Sequence, residues 1–446
     1  MAETFDLVIK GATVANHAGV FEADVGVRGG KTVAIGSLDA STAGEVIDAK
    51  GLHLLPGVID TQVHFREPGN THKEDLESGS RAAVLGGVTA VFEMPNTSPL
   101  TTTFDAIADK VARGTDRMWC DFAFYMGATP DNAKDMAELE TAPGCCGVKI
   151  FMGASTGNLL VPDDENIFEV LRHGRRRVAV HCEDEPRMNE RQPIRETGGV
   201  HSHPVWRDEE TALRATTRLI RLARKAGRRV HVLHVTTAEE MAFLAAHKDI
   251  ASVETTPQHL TLSAPDCYDR LGTFAQMNPP IRDSRHLPGL WEAVANGVVD
   301  VIGSDHAPHT REEKAKPYPA SPSGMPGVQT LLPVMLSHVA AGKLSLMRLV
   351  DLTSGAANRI FNLRDKGRLA VGYDADYTLV DLKGEWTIDD SWIASKCGWT
   401  PFNGYKATGK PLGTIVRGKR VMWEGSLANA AHGQPVRFQE TIGAEG

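Results

Sequence analysis

The 446 residues read as an α/β protein: a (β/α)8 barrel over residues 56–364, with a small β domain assembled from both ends of the chain (1–55 and 365–446). Three observations predict this. Eight short β-rich runs alternate with longer helical patterns through the middle of the chain. The runs are continuously apolar, as strands buried on both faces should be. Several stop on a histidine, lysine or aspartate, at the end where a parallel barrel opens its catalytic face.

Taken in order, residues 1–55 show short strands at 6–10, 23–28 and 32–36, with Gly29-Gly30 as a hairpin signal. The barrel strands follow at 59–64, 87–94, 120–128, 147–152, 177–181, 229–234, 252–256 and 298–303. Between them, 76–85 and 209–226 have apolar residues at helical spacing. The second opens on Asp208-Glu209-Glu210 and closes on Arg224-Lys225-Ala226-Gly227, which suits the helix dipole and a glycine cap. The segment 315–327, rich in Pro, Ser and Gly, reads as a loop forming a lid or a pocket wall. Strands return at 369–373, 377–382, 414–417 and 420–423.

Bulk properties exclude several classes. The net charge is −8 and the pI near 6.1, leaving no basic footprint for nucleic acid or a membrane surface. The first residues lack a signal peptide's basic and apolar regions, and no apolar run approaches the ~18 residues of a bilayer span. The six cysteines show no disulfide or zinc-ribbon spacing, so reduced thiols in a cytoplasmic protein are expected.

The chemistry sits at strand ends. If 60–66 is extended, Asp60, Gln62, His64 and Arg66 share one face. Lys149, His181, His234 and Asp305 each stand where a later β run stops. A lone strand-end histidine is ordinarily a hydrogen-bonded structural residue, a lone lysine a solvated one, and a lone aspartate an N-cap. Together on successive strands they point to a shared metal site. His201 and His203 read as loop residues beside Pro204. By alternation His231 faces away from His234, and the arginines of 172–177 read as a solvated helix end.

Six sequence pieces carry a resemblance. They are His64-Phe-Arg-Glu-Pro-Gly69, Gly86-Gly-Val-Thr89, Met94-Pro-Asn-Thr97, Asn278-Pro-Pro-Ile-Arg282, Ser304-Asp-His-Ala-Pro-His309 and Lys366-Gly-Arg-Leu-Ala-Val-Gly-Tyr-Asp-Ala-Asp376, with Thr400-Pro-Phe-Asn403 beyond them. In combination, and nearly end to end, the chain resembles the dihydroorotases of the amidohydrolase superfamily. The resemblance implies a distorted barrel with a composite β-sandwich domain. It implies that His64, Lys149 and Asp305 bind one metal ion and His181 and His234 a second, with a carboxylated Lys149 bridging the two. Imidazole and carboxylate donors point to zinc, one or two ions per chain, with manganese or cobalt as alternatives.

The implied reaction is reversible closure of N-carbamoyl-L-aspartate to L-dihydroorotate and water in pyrimidine biosynthesis, with Asp305 carrying the proton. Arg66, Asn96 and His309 would hold the substrate carboxylate; Asn278, Ser323 and Gly324 would grip the ring amides. A homodimer and a transcarbamoylase partner are further implications. The sequence departs from the family at Gln62, where the first histidine of a His-x-His pair is expected. An amide oxygen is a weak zinc ligand. That leaves an active branch, a mononuclear enzyme or an inactive assembly subunit, and the intact remainder of the set favours activity. Allantoinase or dihydropyrimidinase chemistry is the rival reading, against which the Arg66 and Asn96 motifs argue.

Overall fold

A computed structural model describes residues 4–155 and 159–441. Eight parallel strands form the barrel: β1 (Val58–Val63), β2 (Val88–Glu93), β3 (Asp121–Gly127), β4 (Cys145–Phe151), β5 (Val178–His181), β6 (Val230–Val232), β7 (Ala251–Thr255) and β8 (Val301–Ile302). Neighbours in sequence are neighbours in the sheet. The ring is drawn together by a bridge between Val63 and His306, where His64 N–H donates to the His306 carbonyl at 2.7 Å. All eight predicted runs contain a strand.

The two-residue period sorts the side chains. Val91, Phe122, Phe124, Val148, Ile150, Val178, Val180, Val230 and Val232 belong to the main core shared with the surrounding helices. Ile59, Ala90, Phe92, Ala123, Tyr125 and Ala179 belong to a second, inner cluster with Phe361 and Phe438, joined by Cys146 where a register shift at Gly147 (φ 157°) interrupts the alternation of β4. Of the helices, Leu76–Leu85 begins with a capping box between Asp75 and Ser78. Glu209–Ala226 starts at the Asp208 cap and ends at Gly227, whose φ of 67° is the left-handed cap that glycine allows.

Nine further strands form a separate sheet, drawn from Leu7–Asn16 through His53–Pro56 at one end of the chain and from Tyr377–Thr387 through Ser426–Leu427 at the other. The two ends meet where His53–Pro56 pairs antiparallel with Tyr377–Thr387. Residues 369–373 are not the predicted strand. Gly372, at φ 90°, turns the chain there and donates its N–H to Thr32, while Leu369 drops into the core of the sheet.

The last described residues leave this sheet for the base of the barrel. Val436 N–H donates to Phe122 at 2.8 Å, and Phe438 packs on Phe92 with ring centroids 6.0 Å apart. Arg176 belongs to the same seam. It is buried, donates to the Cys145 carbonyl and lies 5.0 Å over the Phe438 ring. The arginine run after the helix Asp164–Arg172 is therefore not simply solvated, because the returning chain end covers it. All six cysteines are buried and unpaired, and no described helix is long and apolar enough to cross a membrane.

Candidate metal centre and carboxylate pocket

β1 delivers the first groups. Asp60 lies deepest and accepts N–H from Ser304 at 2.9 Å and Gln62 at 3.2 Å. Burial pushes its carboxyl up to about 7. One pleat on, Gln62 Nε2 donates to Asp305 Oδ1 at 3.0 Å. His64 Nδ1 meets Asn96 Oδ1 at 2.8 Å, so its Nε2 is left as the lone pair, 3.4 Å from the same Asp305 oxygen. The alternation carries as far as His64. Arg66 reaches the site by a different route, a left-handed φ of 66°. His234 (φ 38°) and Asp305 (φ 45°) also turn left-handed at strand ends. Three of the eight such non-glycine residues described are thus site residues, as expected where strained backbone aims side chains.

Lys149 rises from β4, fully buried, with its amine 4.3 Å over the Phe151 ring. Burial lowers its pKa to about 7, so the neutral, nucleophilic amine is accessible at physiological pH. His181 and His234 meet edge to face, Nδ1 to Nε2, at 3.1 Å. Burial lowers both, keeping the imidazoles neutral. His181 Nε2 is held 2.8 Å from Glu183, whose other partner is Arg207. Burial raises the Glu183 carboxyl, but Arg207 and His181 outweigh it and hold it at about 2. A charged carboxylate behind a histidine fixes the proton on the far nitrogen and turns the near one toward the site.

These groups line one small cavity of about 20 Å³, room for roughly one water molecule. Gln62, His64, Arg66, Lys149, His181, His234, Asn278, Asp305, Ser323 and Gly324 all border it. Asn96 stands behind His64, and His309 behind Arg66. Ser155, Asn278 and Ser323 also border a vestibule of about 480 Å³, walled by Pro319–Ser323 as the composition of that loop predicts. Gly324 is required by its surroundings. At φ 136°, a Cβ there would stand 2.5 Å from the Ala307 carbonyl.

Three buried polar atoms of this set lack a hydrogen-bond partner: Lys149 Nζ, His234 Nδ1 and Gln62 Oε1. Unpartnered lone pairs around a polar cavity suit a cation, and the Lys149 amine offers another once it has lost its proton. Among the described residues no three His, Cys, Asp or Glu side chains alone converge into a metal-holding group. The unpartnered His234 Nδ1 and Gln62 Oε1, with the imidazoles and Asp305 beside them, fit a cation only if Lys149 contributes as well.

Arg66 has a second distinctive environment. It does not pair with Glu67 or Glu93. Glu67 accepts from Arg117 at 2.8 Å and Leu76 N–H at 3.1 Å, and Glu93 is taken by Lys110. Arg66 instead donates to the Pro308 carbonyl at 3.2 Å and lies 3.3 Å from His309 Nε2. Among the described residues no carboxylate lies within ion-pair distance of it. Burial lowers its pKa, yet at about 10 it stays charged.

Several neighbours escaped sequence reasoning. Glu183 lies just past the end of β5 and is recognised only by its contact with His181. Glu254 sits in the barrel lumen, accepting from Thr61 at 2.6 Å and lying 3.3 Å from His231. His231 accordingly points into the lumen, against the predicted outward orientation, because β6 ends at Val232 and the strand alternation does not extend to His234. His203 is buried in a short helix, with Nε2 3.0 Å from Asn278 Oδ1, and His201 lies outside beside Asp269.

The geometry has matches among known proteins. The amidohydrolase family model aligns with residues 53–421. The dihydroorotase of Halobacterium salinarum is 38% identical over 420 residues, covering 90% of this chain and 96% of its own. The allantoinase of Solibacter usitatus is 35% identical over 454 residues, with 97% of each chain covered. The solved L-hydantoinase (dihydropyrimidinase) from Arthrobacter aurescens superposes with a TM-score of 0.91 at 32% identity, over 97% of this chain and 99% of its own. With the fold shared along nearly the whole chain and the family model spanning the barrel, this protein belongs to the amidohydrolase family.

Proposed function

We propose that the protein is a metal-dependent dihydroorotase, interconverting N-carbamoyl-L-aspartate and L-dihydroorotate plus water in pyrimidine biosynthesis. The observation that carries the reading is Arg66: a buried guanidinium with no carboxylate partner, at the edge of a polar cavity. A buried charge is costly without a counter-charge, and the dihydroorotate carboxylate supplies one in bidentate geometry. Hydantoin, allantoin and dihydrouracil bring no such group.

His64, Lys149, His181, His234 and Asp305 would hold one or two zinc ions, with Lys149 contributing as a carbamate. When bound, the metal lowers the pKa of water and polarises the ring carbonyl. Asp305 takes the proton from the attacking water on its carboxylate and delivers it to the departing ring nitrogen. Gln62 orients Asp305 through its amide. Arg66 and His309, with Asn96 behind His64, fix the carboxylate end; Asn278 and the Ser323–Gly324 backbone fix the ring. The same reading carries a cytoplasmic homodimer able to associate with a transcarbamoylase.

The vestibule favours a second reading. Its 480 Å³ exceeds the needs of a small unsubstituted ring and suits a hydantoinase-type cyclic amide with a side chain. Zinc-loaded protein assayed with dihydroorotate, a 5-substituted hydantoin, allantoin and dihydrouracil separates the two. Dihydroorotate is expected to exceed each of the others by about 100-fold in kcat/KM, roughly the effect of one charge-assisted contact. Turnover of the hydantoin without dihydroorotate would transfer the assignment. No turnover of any, with less than one metal per chain, would remove the enzyme reading.

A further inference from the structure

His309 has two ring nitrogens in contrasting company. Nε2 lies 3.0 Å from the Ser323 carbonyl, which can only accept, and 3.3 Å from Arg66 Nη2, which can only donate. Nδ1 lies 3.1 Å from Lys73 Nζ, and 3.7 Å from Glu313 Oε2, beyond hydrogen-bond reach. Lys73 sits in the turn after the Arg66 segment, its N–H bonded to Asn70, and its amine is also 3.1 Å from Glu313 Oε1. An ammonium donates and never accepts, so Nδ1 must carry the lone pair and Nε2 the proton.

We propose that Lys73 is a positioning residue that holds His309 as the neutral tautomer protonated on Nε2, with that N–H beside the Arg66 guanidinium. Two donors 3.3 Å apart cannot satisfy each other; together they form a receptor for an anion. Ser323 holds the N–H meanwhile, and an arriving carboxylate accepts from both. Lys73 also occupies Glu313. Without it, Glu313 is the nearest acceptor for a proton on Nδ1, and the ring would turn its lone pair toward Arg66.

The charged groups around the ring are Arg66, Lys73, Glu313 and Lys314. Burial drives the imidazole down to about 3 against the pull of Glu313, with Arg66 and Lys73 adding to the fall. The consequence for substrate rests on the dihydroorotase reading; the tautomer does not.

Side-chain ¹⁵N spectra of histidine-labelled protein, with H309N used to assign the His309 signals, test the tautomer without substrate. At pH 7 the expected pattern is a protonated Nε2 and a bare Nδ1. In Lys73→Met that pattern should give way to a protonated Nδ1, and in Lys73→Arg it should persist. In parallel, Lys73→Met should raise KM for dihydroorotate about 10-fold with kcat within about twofold, and Lys73→Arg should recover most of the loss. A protonated Nδ1 in the unaltered protein overturns the proposal, as does a Lys73→Met spectrum unchanged from it. Absent dihydroorotate turnover would remove the substrate assignment and leave the spectrum to decide the tautomer.

Discussion

Gln62 and Asp305 are joined by a hydrogen bond of 3.0 Å, from the amide nitrogen of the first strand to the carboxylate that follows the eighth. A histidine at 62 would bring a metal-binding lone pair to the same place; the glutamine brings a donor. Its amide N–H meets Asp305, while its Oε1, left without a hydrogen-bond partner, is a weak donor for zinc.

Gln62→His should therefore tighten zinc binding, with loss of metal to a competing chelator slowed about 10-fold or more, the usual weight of a ligand-shell change. Gln62→Leu should leave metal content unchanged but lower kcat about 10-fold by freeing Asp305. Equal zinc retention in Gln62→His and the unaltered protein would show that position 62 lies outside the metal's reach.

Arg66→Gln removes the unpaired buried cation. KM for dihydroorotate should rise about 100-fold, the weight of a charge-assisted bidentate contact, with a smaller change in kcat. Arg66→Lys should recover only part of it, because an ammonium cannot present the planar fork. Initial-rate kinetics on both variants check this.

Glu254 makes stability depend on pH. Burial raises its carboxyl from 4.5 to about 8, so the folded state keeps a proton that the unfolded chain has lost. Between about pH 4.5 and 8 the folded state binds more protons, and stability falls as pH rises, by roughly 1.4 kcal/mol per unit from this group. Glu254→Gln, which mimics the protonated acid, should match the parent near pH 4.5 and exceed it at pH 8 in urea denaturation. Parallel curves across that range would show that Glu254 is ionised in the fold.

Lys149 works in the opposite sense. Its pKa falls from 10.5 to about 7 on folding, chiefly through burial, so metal-free protein should gain stability as pH rises from 7 toward 10.5. Lys149→Met removes a buried charge that has no hydrogen-bond partner. With chelator at pH 6 its Tm should exceed the parent's by several degrees, at roughly 2 °C per kcal/mol, and zinc-loaded without chelator it should hold less than one zinc per chain. A lower Tm in chelator would mean that the amine is satisfied in the fold.

Much of this was legible in the sequence because the barrel repeats its signal eight times. Apolar runs, helical spacings and strand-end residues agree with one another, and that consistency places Lys149, His181, His234 and Asp305 around one cavity. What escaped depends on partners far apart in the chain. Glu254 becomes significant only when the barrel brings Thr61 and His231 to it, and Lys73 only when the loop after β8 brings His309 over its turn. Arg176 reads as a surface residue until residue 438, more than 250 positions later, closes over it. Alternation likewise misplaced His231, because period 2 lapses where the strand does.

The return of residues 433–438 to the barrel base bears on how the molecule is made. Phe438 and Val436 share the inner cluster with Ile59 and Phe92, and Tyr377–Thr387 pairs with His53–Pro56. A chain made only as far as the eighth strand has neither partner to offer. Its eight strands can emerge and pair in order, but the barrel floor stays open until residues 433–438 have been made. The nascent barrel thus keeps an apolar opening from the emergence of its eighth strand until residues 433–438 close it.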